Sequence, residues 1–234
     1  LWYKGWLETR VRLLFVFGML AFTMFIQHPV ARMSPSARNR AAMLTVLALS
    51  NGVIILLGCS MLAGAGIVTQ PSFQAAKGLH GSTLFTLSLP VSRLRLLVVR
   101  ATVGWLEAVA LIAALCCGIW FEFPLLRSLA TPREMLEYAA TLVICTSALY
   151  CLSVLLATFL DDQWRTWGTM MGALALWWLS RQTWLPASID IVRAIDKGSP
   201  LVAHTMPWPA MAFSLALSIA FFFAALKITQ TREY

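Results

Sequence analysis

Long apolar stretches separated by polar segments repeat along the whole chain. A helix needs roughly 20 apolar residues to cross the hydrocarbon core of a bilayer, and six stretches reach or approach that length. The pattern therefore predicts an all-α integral membrane protein whose residues 1–234 form a single transmembrane domain. The six predicted spans are residues 11–26, 41–68, 101–121, 138–160, 164–184 and 208–226.

The first twelve residues are too polar to cross a bilayer, but they are amphipathic. At helical spacing Trp2, Tyr3 and Trp6 share one side, while Lys4 and Glu8 fall on the other. Aromatic residues prefer the headgroup region, and helices of this kind lie in the plane of the interface. The pattern predicts an N-terminal interfacial helix over residues 1–12.

Two long connections carry helical signals of their own. In residues 69–100 a short amphipathic helix is predicted to end at Pro90, and a new helix is predicted to begin with Ser92 as its N-cap. In residues 185–207 Ser188 is the predicted N-cap and Gly198 the stop of a short outer helix that lies on the membrane surface or dips into it. Polar loops are predicted around residues 122–137 and at the hinge 161–163.

The composition agrees with this pattern and excludes soluble proteins. Apolar residues make up 59% of the chain and charged residues 12%, against about 45–50% and about 25% in soluble domains. The net charge of +8 is explained by basic residues near anionic lipid headgroups. Nucleic acid is therefore not an expected partner, whereas membrane lipid is.

An even number of spans places both termini on the same side of the membrane. With the termini inside, ten of the 18 Lys and Arg residues lie in cytoplasmic segments, a weak positive-inside bias. Arg12, Arg100, Arg165 and Lys227 then lie at the inner ends of spans. We predict cytoplasmic termini.

Sequence motifs for catalysis are missing. The chain has no G-x-x-x-x-G-K-[ST] phosphate loop, no G-x-G-x-x-G, no H-E-x-x-H and no G-x-S-x-G. Its three histidines, His28, His80 and His204, lie in three different connections, and its five cysteines fall in apolar stretches without the spacing of a zinc site. We predict no enzyme activity, no cofactor and no metal in this chain, and we expect the cysteines to be small core residues.

Two features within the spans have alternative interpretations. Glu107 is the one acid in the middle of a span, where it either contacts a substrate or a proton, or forms a hydrogen-bonded packing point near Arg100. The G-x-x-x-G pattern of Gly168 and Gly172 favours a close contact between two helices, either within the chain or in a dimer.

Residues 81–93, GSTLFTLSLPVSR, run on into a span with Arg100 and Glu107, and this region resembles the connection between spans 2 and 3 of bacterial ABC-transporter permeases of the type-2 exporter class. The opening WYKGWLETRVRLLF and the ending PWPAMAFSLALSIAFFFAALKITQTREY are similar to the interfacial helix and the last span of that family. The resemblance covers the whole chain in order and in number of spans.

The resemblance implies a transmembrane subunit in the bacterial inner membrane, without an ATPase of its own. Two separate ATPase subunits would bind ATP and Mg, and a second permease, expected to be an identical copy, would complete the pathway through spans 1 and 5. The connection 185–207 would correspond to outer re-entrant helices. A cytoplasmic coupling helix would contact the ATPase through Ser82, Leu84, Phe85, Leu87, Leu89, Pro90 and Arg93.

Other functions fit parts of the same pattern. A proton-coupled secondary transporter would use Glu107 as its proton site, but the spans show no evident internal repeat. An integral membrane enzyme acting on lipids would use His28 or His204 at the interface, and a non-transporting scaffold would need neither. The leading hypothesis is an exporter permease that works by alternating access.

Overall fold

The computed structural model describes residues 10, 13–22, 92–122, 124–160, 162–182 and 186–231. These residues form helices and no strand. The helices are α1 (Leu13–Phe22), α2 (Arg93–Glu122), α3 (Pro124–Leu129), α4 (Pro132–Leu156), α5 (Asp162–Leu179), α6 (Ile191–Ile195), α7 (Pro200–Ala203) and α8 (Trp208–Thr231). The interfacial helix predicted over residues 1–12, the second span and the coupling helix lie mostly or wholly outside the described residues.

Three of the described helices are long and apolar enough to cross a membrane: Leu94–Glu122, Pro132–Leu156 and Trp208–Thr231. Together with the all-helical fold, they give the described part of the chain the character of a membrane protein. The helical stretch of α1 is shorter, and its Val16 and Leu20 are buried in the same apolar core as residues of α2, α4 and α8.

The N-cap predicted at Ser92 is confirmed, and the helix that follows it is continuous with the predicted third span. The backbone N–H of Arg95 donates to Ser92 Oγ at 3.3 Å, which satisfies a free donor of the first turn. The span was expected to begin at Ala101, but α2 begins at Arg93. Basic residues had been assigned to the connection, whereas here they occupy the first two turns of the helix.

The start of α4 also differs from the prediction. The polar residues before Tyr138 were interpreted as a loop, but α4 begins at Pro132 behind a capping box: Thr131 accepts from the N–H of Glu134, and the Glu134 carboxylate accepts from the N–H of Thr131. Pro at the first helical position loses no intrahelical hydrogen bond. The same predicted loop also contains the short helix α3.

The hinge predicted at residues 161–163 was placed too late. α4 ends at Leu156, and residues 157–160 form the turn, closed by bonds such as that from the Leu160 N–H to the Leu156 carbonyl oxygen at 2.8 Å. α5 then covers Asp162–Leu179, 18 residues instead of residues 164–184. It does not count among the helices that are apolar enough to cross a membrane.

The short helix predicted in the last connection exists, with a different N-cap. Asp190, not Ser188, caps α6 by accepting from the N–H groups of Val192 and Arg193. Gly198 marks the end as predicted: its N–H donates to the Arg193 carbonyl oxygen at 2.8 Å, and a Cβ there would lie 3.0 Å from the same oxygen. α8 begins at Trp208 as predicted and continues past Leu226 to Thr231.

Side-chain hydrogen bonds fix the direction of each long helix relative to α4. Tyr150 Oη donates to the Ala101 carbonyl oxygen at 2.6 Å and Trp105 Nε1 to Ser147 Oγ at 3.4 Å, so α2 is antiparallel to α4. Ser214 Oγ donates to the carbonyl oxygen of Ile144 at 2.9 Å. His204 contacts Glu134, and these two residues lie ten positions before Ser214 and Ile144, respectively. The residue numbers rise together on both segments, so α8 is parallel to α4.

The contacts of α5 give its direction as well. A Cβ on Gly168 would lie 3.0 Å from a Leu156 methyl group, and one on Gly172 would lie 2.8 Å from a Leu152 methyl group. From the first contact to the second, the residue number rises on α5 and falls on α4. The two helices are therefore antiparallel. The chain therefore runs along α4, returns along α5 and runs again in the first direction along α8.

These directions define two ends of the bundle. At the end where α2 begins and α4 and α8 end, the charged side chains with described positions are basic, and we name it the basic end. At the opposite end, where α4 begins and α6 and α7 lie against α4, basic and acidic side chains alternate, and we name it the mixed end.

Candidate functional site

Two of the basic end's charged side chains are buried. Arg165, in the first turns of α5, is only 1% exposed, and Arg100 on α2 is 8% exposed, whereas Arg95 and Lys227 reach solvent or headgroups. Arginine is rarely buried unless its charge is satisfied. The prediction that Arg100 and Arg165 mark the same end of their spans agrees with the antiparallel packing of α2 and α5 against α4.

Among the described side chains of α5, two polar ones are buried while large apolar ones are exposed. Arg165 and Thr169 are buried, and the Thr169 hydroxyl donates to the Arg165 carbonyl oxygen at 2.9 Å. The exposed large side chains are Trp164, Trp167, Met171, Leu174, Trp177 and Trp178. A surface helix of a soluble protein has the reverse arrangement, so this pattern agrees with the membrane-protein character of the described helices.

Gly168 and Gly172 lie against α4 of the same chain. The leucine methyl groups of α4 come so close to them that a larger side chain at Gly172 would overlap Leu152. Small residues allow this kind of approach between helices in a membrane. The close contact expected from the pattern is therefore found within the chain, while the role of these glycines in a dimer stays a prediction.

Glu107 lies in the middle of α2 and is 6% exposed. It is separated from Arg100 by seven residues, which is two helical turns, so the two buried charges lie on the same side of α2. Polar groups in membrane helices face the bundle interior, and the position of Glu107 fits that rule. Both of its alternative roles, in a pathway or in packing, remain open.

The mixed end contains a hydrogen-bonded contact between two side chains far apart in sequence. His204 Nδ1 lies 2.6 Å from Glu134 Oε1, while Glu134 Oε2 accepts from the N–H of Thr131 at 2.6 Å and from its hydroxyl at 3.0 Å. One carboxylate therefore joins the start of α4 to the segment that leads into α8. His204 has a φ of 54°, in the left-handed region, which is uncommon for a residue other than glycine.

Further polar groups of the mixed end surround α6. Burial raises the pKa of Asp196, although the charges of Lys197 and Arg181 act in the opposite direction. The guanidinium of Arg181 lies 4.4 Å from the centre of the Trp177 ring, a cation–π contact. The buried residues Ile191, Ala194 and Ile195 hold α6 in the apolar core, so this connection lies against the bundle instead of projecting from it.

The sequence contains signals for some of these residues that were missed. Thr131-Pro132-Arg133-Glu134 has the spacing of a capping box with Pro at the first position, and Asp190 is as good an N-cap as serine. The first signal lay in a segment interpreted as a loop because of its charge, and the second lay two residues after the serine that was predicted as the N-cap. The pairing of His204 with Glu134 has no sequence signal, since it depends on the parallel packing of α8 on α4.

The remaining candidates are distributed as follows. Cys116 and Cys145 are buried as expected and Cys151 is half-buried, but Cys117 is exposed, so the prediction of a core residue is wrong for it. Within the described residues no group of three His, Cys, Asp or Glu side chains has the arrangement of a metal site. His28, His80, Cys59 and the coupling residues from Ser82 to Pro90 lie outside those residues, and α2 includes Arg93.

Comparison of the chain with protein-family models, with curated proteins and with solved structures finds no match.

Proposed function

We propose that this chain is the transmembrane permease subunit of an ATP-driven exporter of the ABC type. It contributes half of a translocation pathway and contacts separate ATPase subunits, which bind ATP and Mg. Alternating access at the interface between two permeases moves the substrate. The proposal rests on the sequence resemblance of residues 81–93 and of both ends of the chain.

One structural observation supports the proposal more than the others. The chain enters α2 at Ser92, and this start lies at the basic end together with Arg95, Arg100 and Arg165. The resembling segment, residues 81–93, is therefore joined directly to the basic end. In the family, the coupling helix lies on the cytoplasmic side, and basic residues favour that side of a membrane.

Six spans, with α5 as the fifth, are part of the proposal. Because α4 and α8 run in the same direction, the chain has to return between them, and α5 is antiparallel to α4. Its 18 residues extend about 27 Å, close to the thickness of the hydrocarbon core. Exposed tryptophans at both ends of α5, Trp164 and Trp178, match the aromatic belts at the two interfaces.

The second permease is proposed to be an identical copy that contacts α1 and the exposed face of α5. Gly168 and Gly172 face α4, so a partner would meet the opposite face, with Met171 and Leu174. Cysteine substitutions at Met171 and Leu174 should cross-link two copies in native membranes, while cysteine at the buried Thr169 serves as the control. Absence of any cross-link along this face would contradict a dimer contact through α5.

The connection after α5 is proposed to close the outer end of the pathway. α6 packs against α4 and α8, with its apolar residues in the core. This position agrees with the re-entrant helices that the resemblance implies. The termini then lie in the cytoplasm, and the protein lies in the bacterial inner membrane.

The proposal is tested by whether an ATPase subunit binds to this chain. A tagged full-length chain purified from native membranes should bring down a protein with ATPase activity. Phe85→Asp should release that protein or abolish transport, because a carboxylate replaces an apolar contact, while Phe85→Leu, which keeps the site apolar, serves as the matched control. If no ATPase co-purifies, or if the Asp variant assembles and transports normally, the proposal fails.

A proton-coupled secondary transporter is the second candidate, because Glu107 is an acid buried within a membrane-crossing helix. Glu107→Gln keeps the shape and much of the hydrogen bonding but removes the titratable group. If the chain alone, reconstituted without an ATPase, moves a substrate along a pH gradient and Glu107→Gln abolishes this movement, the second candidate is favoured. If Glu107 is a packing residue, Gln is nearly silent and Glu107→Leu lowers stability.

A further inference from the structure

The connection from Pro186 to Pro207 contacts the beginning of α4 through a pair of titratable side chains. His204 Nδ1 lies 2.6 Å from Glu134 Oε1. It joins residues 70 apart in sequence, so it holds two segments together that no local backbone hydrogen bond connects. This contact does not depend on the proposed transport function.

Both partners are held in place before they meet. The Glu134 carboxylate is fixed by two bonds from Thr131, at 2.6 and 3.0 Å, as part of the capping box. On the other side, His204 is the C-cap of α7, its N–H donates to the Pro200 carbonyl oxygen at 3.1 Å, and its φ is 54°. A non-glycine residue keeps such a conformation where surrounding contacts hold it.

Histidine is the side chain whose ordinary titration falls between about pH 5 and pH 8. A protonated imidazole facing a carboxylate forms a charge-assisted hydrogen bond, which is roughly twice as strong as a neutral one. With a neutral imidazole only the carboxylate is charged, so the pair keeps a hydrogen bond but loses the attraction between opposite charges. Protonation therefore strengthens the attachment of the connection to α4.

The other charged groups of the mixed end lie on the helices around this contact and in the same connection. Arg133 pairs with Glu137 at 2.8 Å, and α8 carries no charged residue before Lys227. Burial raises the pKa of Asp196, in the same connection. The remaining charged residues on the elements around the mixed end are Glu122, Arg127, Arg181, Asp190, Arg193 and Lys197.

We propose that His204 and Glu134 form a proton-sensitive latch that holds the connection between α5 and α8 on the start of α4, tightly at acidic pH and loosely at alkaline pH. The latch joins the beginnings of the two parallel helices α4 and α8 at the mixed end. A change of pH on that side of the membrane changes how firmly this end of the bundle is closed.

The test is a double-mutant cycle on the full-length protein in detergent or in nanodiscs. Thermal unfolding is followed by tryptophan fluorescence at about pH 5.5 and about pH 8, on either side of the histidine titration. The variants are His204→Gln, Glu134→Gln and the double variant. Gln at position 134 retains the capping interaction with Thr131, so the helix start is preserved. Glu137→Gln is the matched control, one helical turn away.

The latch predicts that each single substitution lowers the unfolding temperature at pH 5.5 more than at pH 8. At pH 5.5 the double variant should be no less stable than the worse single variant, because both remove the same interaction. Glu137→Gln should change the unfolding temperature by the same amount at both pH values. The proposal is overturned if the effects of His204→Gln and Glu134→Gln add fully at pH 5.5, or if either effect is the same at both pH values.

Discussion

The two ends of the helix bundle are built from different interactions. At the basic end, Arg100 and Arg165 are buried within the bundle, and the helices join through the tight turn at residues 157–160. At the mixed end, Thr131 and Asp190 cap helices, and an exposed histidine meets a carboxylate. One end depends on permanent charge, which arginine keeps at every physiological pH, and the other depends on groups that titrate.

This difference suggests that the two ends respond to different inputs. The arginines of the basic end keep their charge at every physiological pH. The mixed end holds its connecting segment through individual hydrogen bonds that a change in protonation alters. Substitutions at the two ends should therefore differ both in size and in pH dependence.

Removal of the buried arginine of α5 should give the largest effect. Arg165→Leu removes the buried guanidinium, so the groups that contact it lose their charged partner. Breaking a buried charged pair costs about 3 to 5 kcal/mol. Arg95→Gln, at an exposed position of the same end, should change the free energy of unfolding by less than about 0.5 kcal/mol. Equal stability of both variants in chemical denaturation would show that the burial of Arg165 has no energetic role.

Filling the helix contact beside it should give the second largest effect. Gly172→Leu places a side chain where a Cβ alone would lie 2.8 Å from Leu152, so we expect a loss of about 1 to 3 kcal/mol from overpacking. Gly18→Ala is the control, since no described atom lies within 4 Å of its Cβ position. If thermal unfolding shows the Leu variant to be as stable as the wild type, α4 and α5 are not in close contact.

At the mixed end, the loss of a cap should have a moderate effect. Thr131→Ala removes the acceptor for the Glu134 N–H, and N-cap replacements of this kind cost about 0.5 to 2 kcal/mol. Thr231→Ala, at the exposed last residue of α8, should leave the free energy of unfolding unchanged when both variants are unfolded thermally. A Thr131→Ala variant with wild-type stability would contradict the capping box as the start of α4.

The smallest effect should be the one that depends on pH through Asp196. Its pKa is raised by burial, so the folded state binds this proton more tightly than the unfolded state does. The contribution of Asp196 to stability is thus greatest below the ordinary pKa of aspartate, about 3.9, and decreases as the pH rises from there through the raised pKa. Asp196→Asn should flatten this part of the stability–pH curve. A curve unchanged from wild type would contradict the prediction.

Local signals in the sequence predicted part of this fold. Ser92 at the start of α2, Gly198 after α6 and Trp208 at the start of α8 lie where the sequence placed them, because caps and apolar boundaries depend on neighbouring residues. The boundaries at Tyr138 and at residues 161–163 were wrong because charge was interpreted as loop. Charged residues are compatible with the first turn of a helix, where Glu134 completes the capping box with Thr131.

The long-range part of the candidate site could not be predicted from one sequence. Whether Gly168 and Gly172 face a helix of the same chain or of another depends on how α4 and α5 pack. The contact between His204 and Glu134 requires α8 to run parallel to α4, and no local pattern in the sequence encodes that direction. Burial of Arg165 likewise follows from packing, because the same arginine at a span end could have reached the headgroups.

The reversed polarity of α5 has a consequence for the biosynthesis of the protein. Basic residues oppose transfer from the translocation channel into lipid, by about 2.5 to 3.5 kcal/mol near the centre of a helix and less toward its ends, and α5 has few strongly apolar residues to offset Arg165. We expect α5 to insert poorly alone but well beside α4, which buries its polar side. The two helices and their short turn would then leave the channel together as a hairpin, and the orientation of α8 would be decided only after that pair has entered the bilayer.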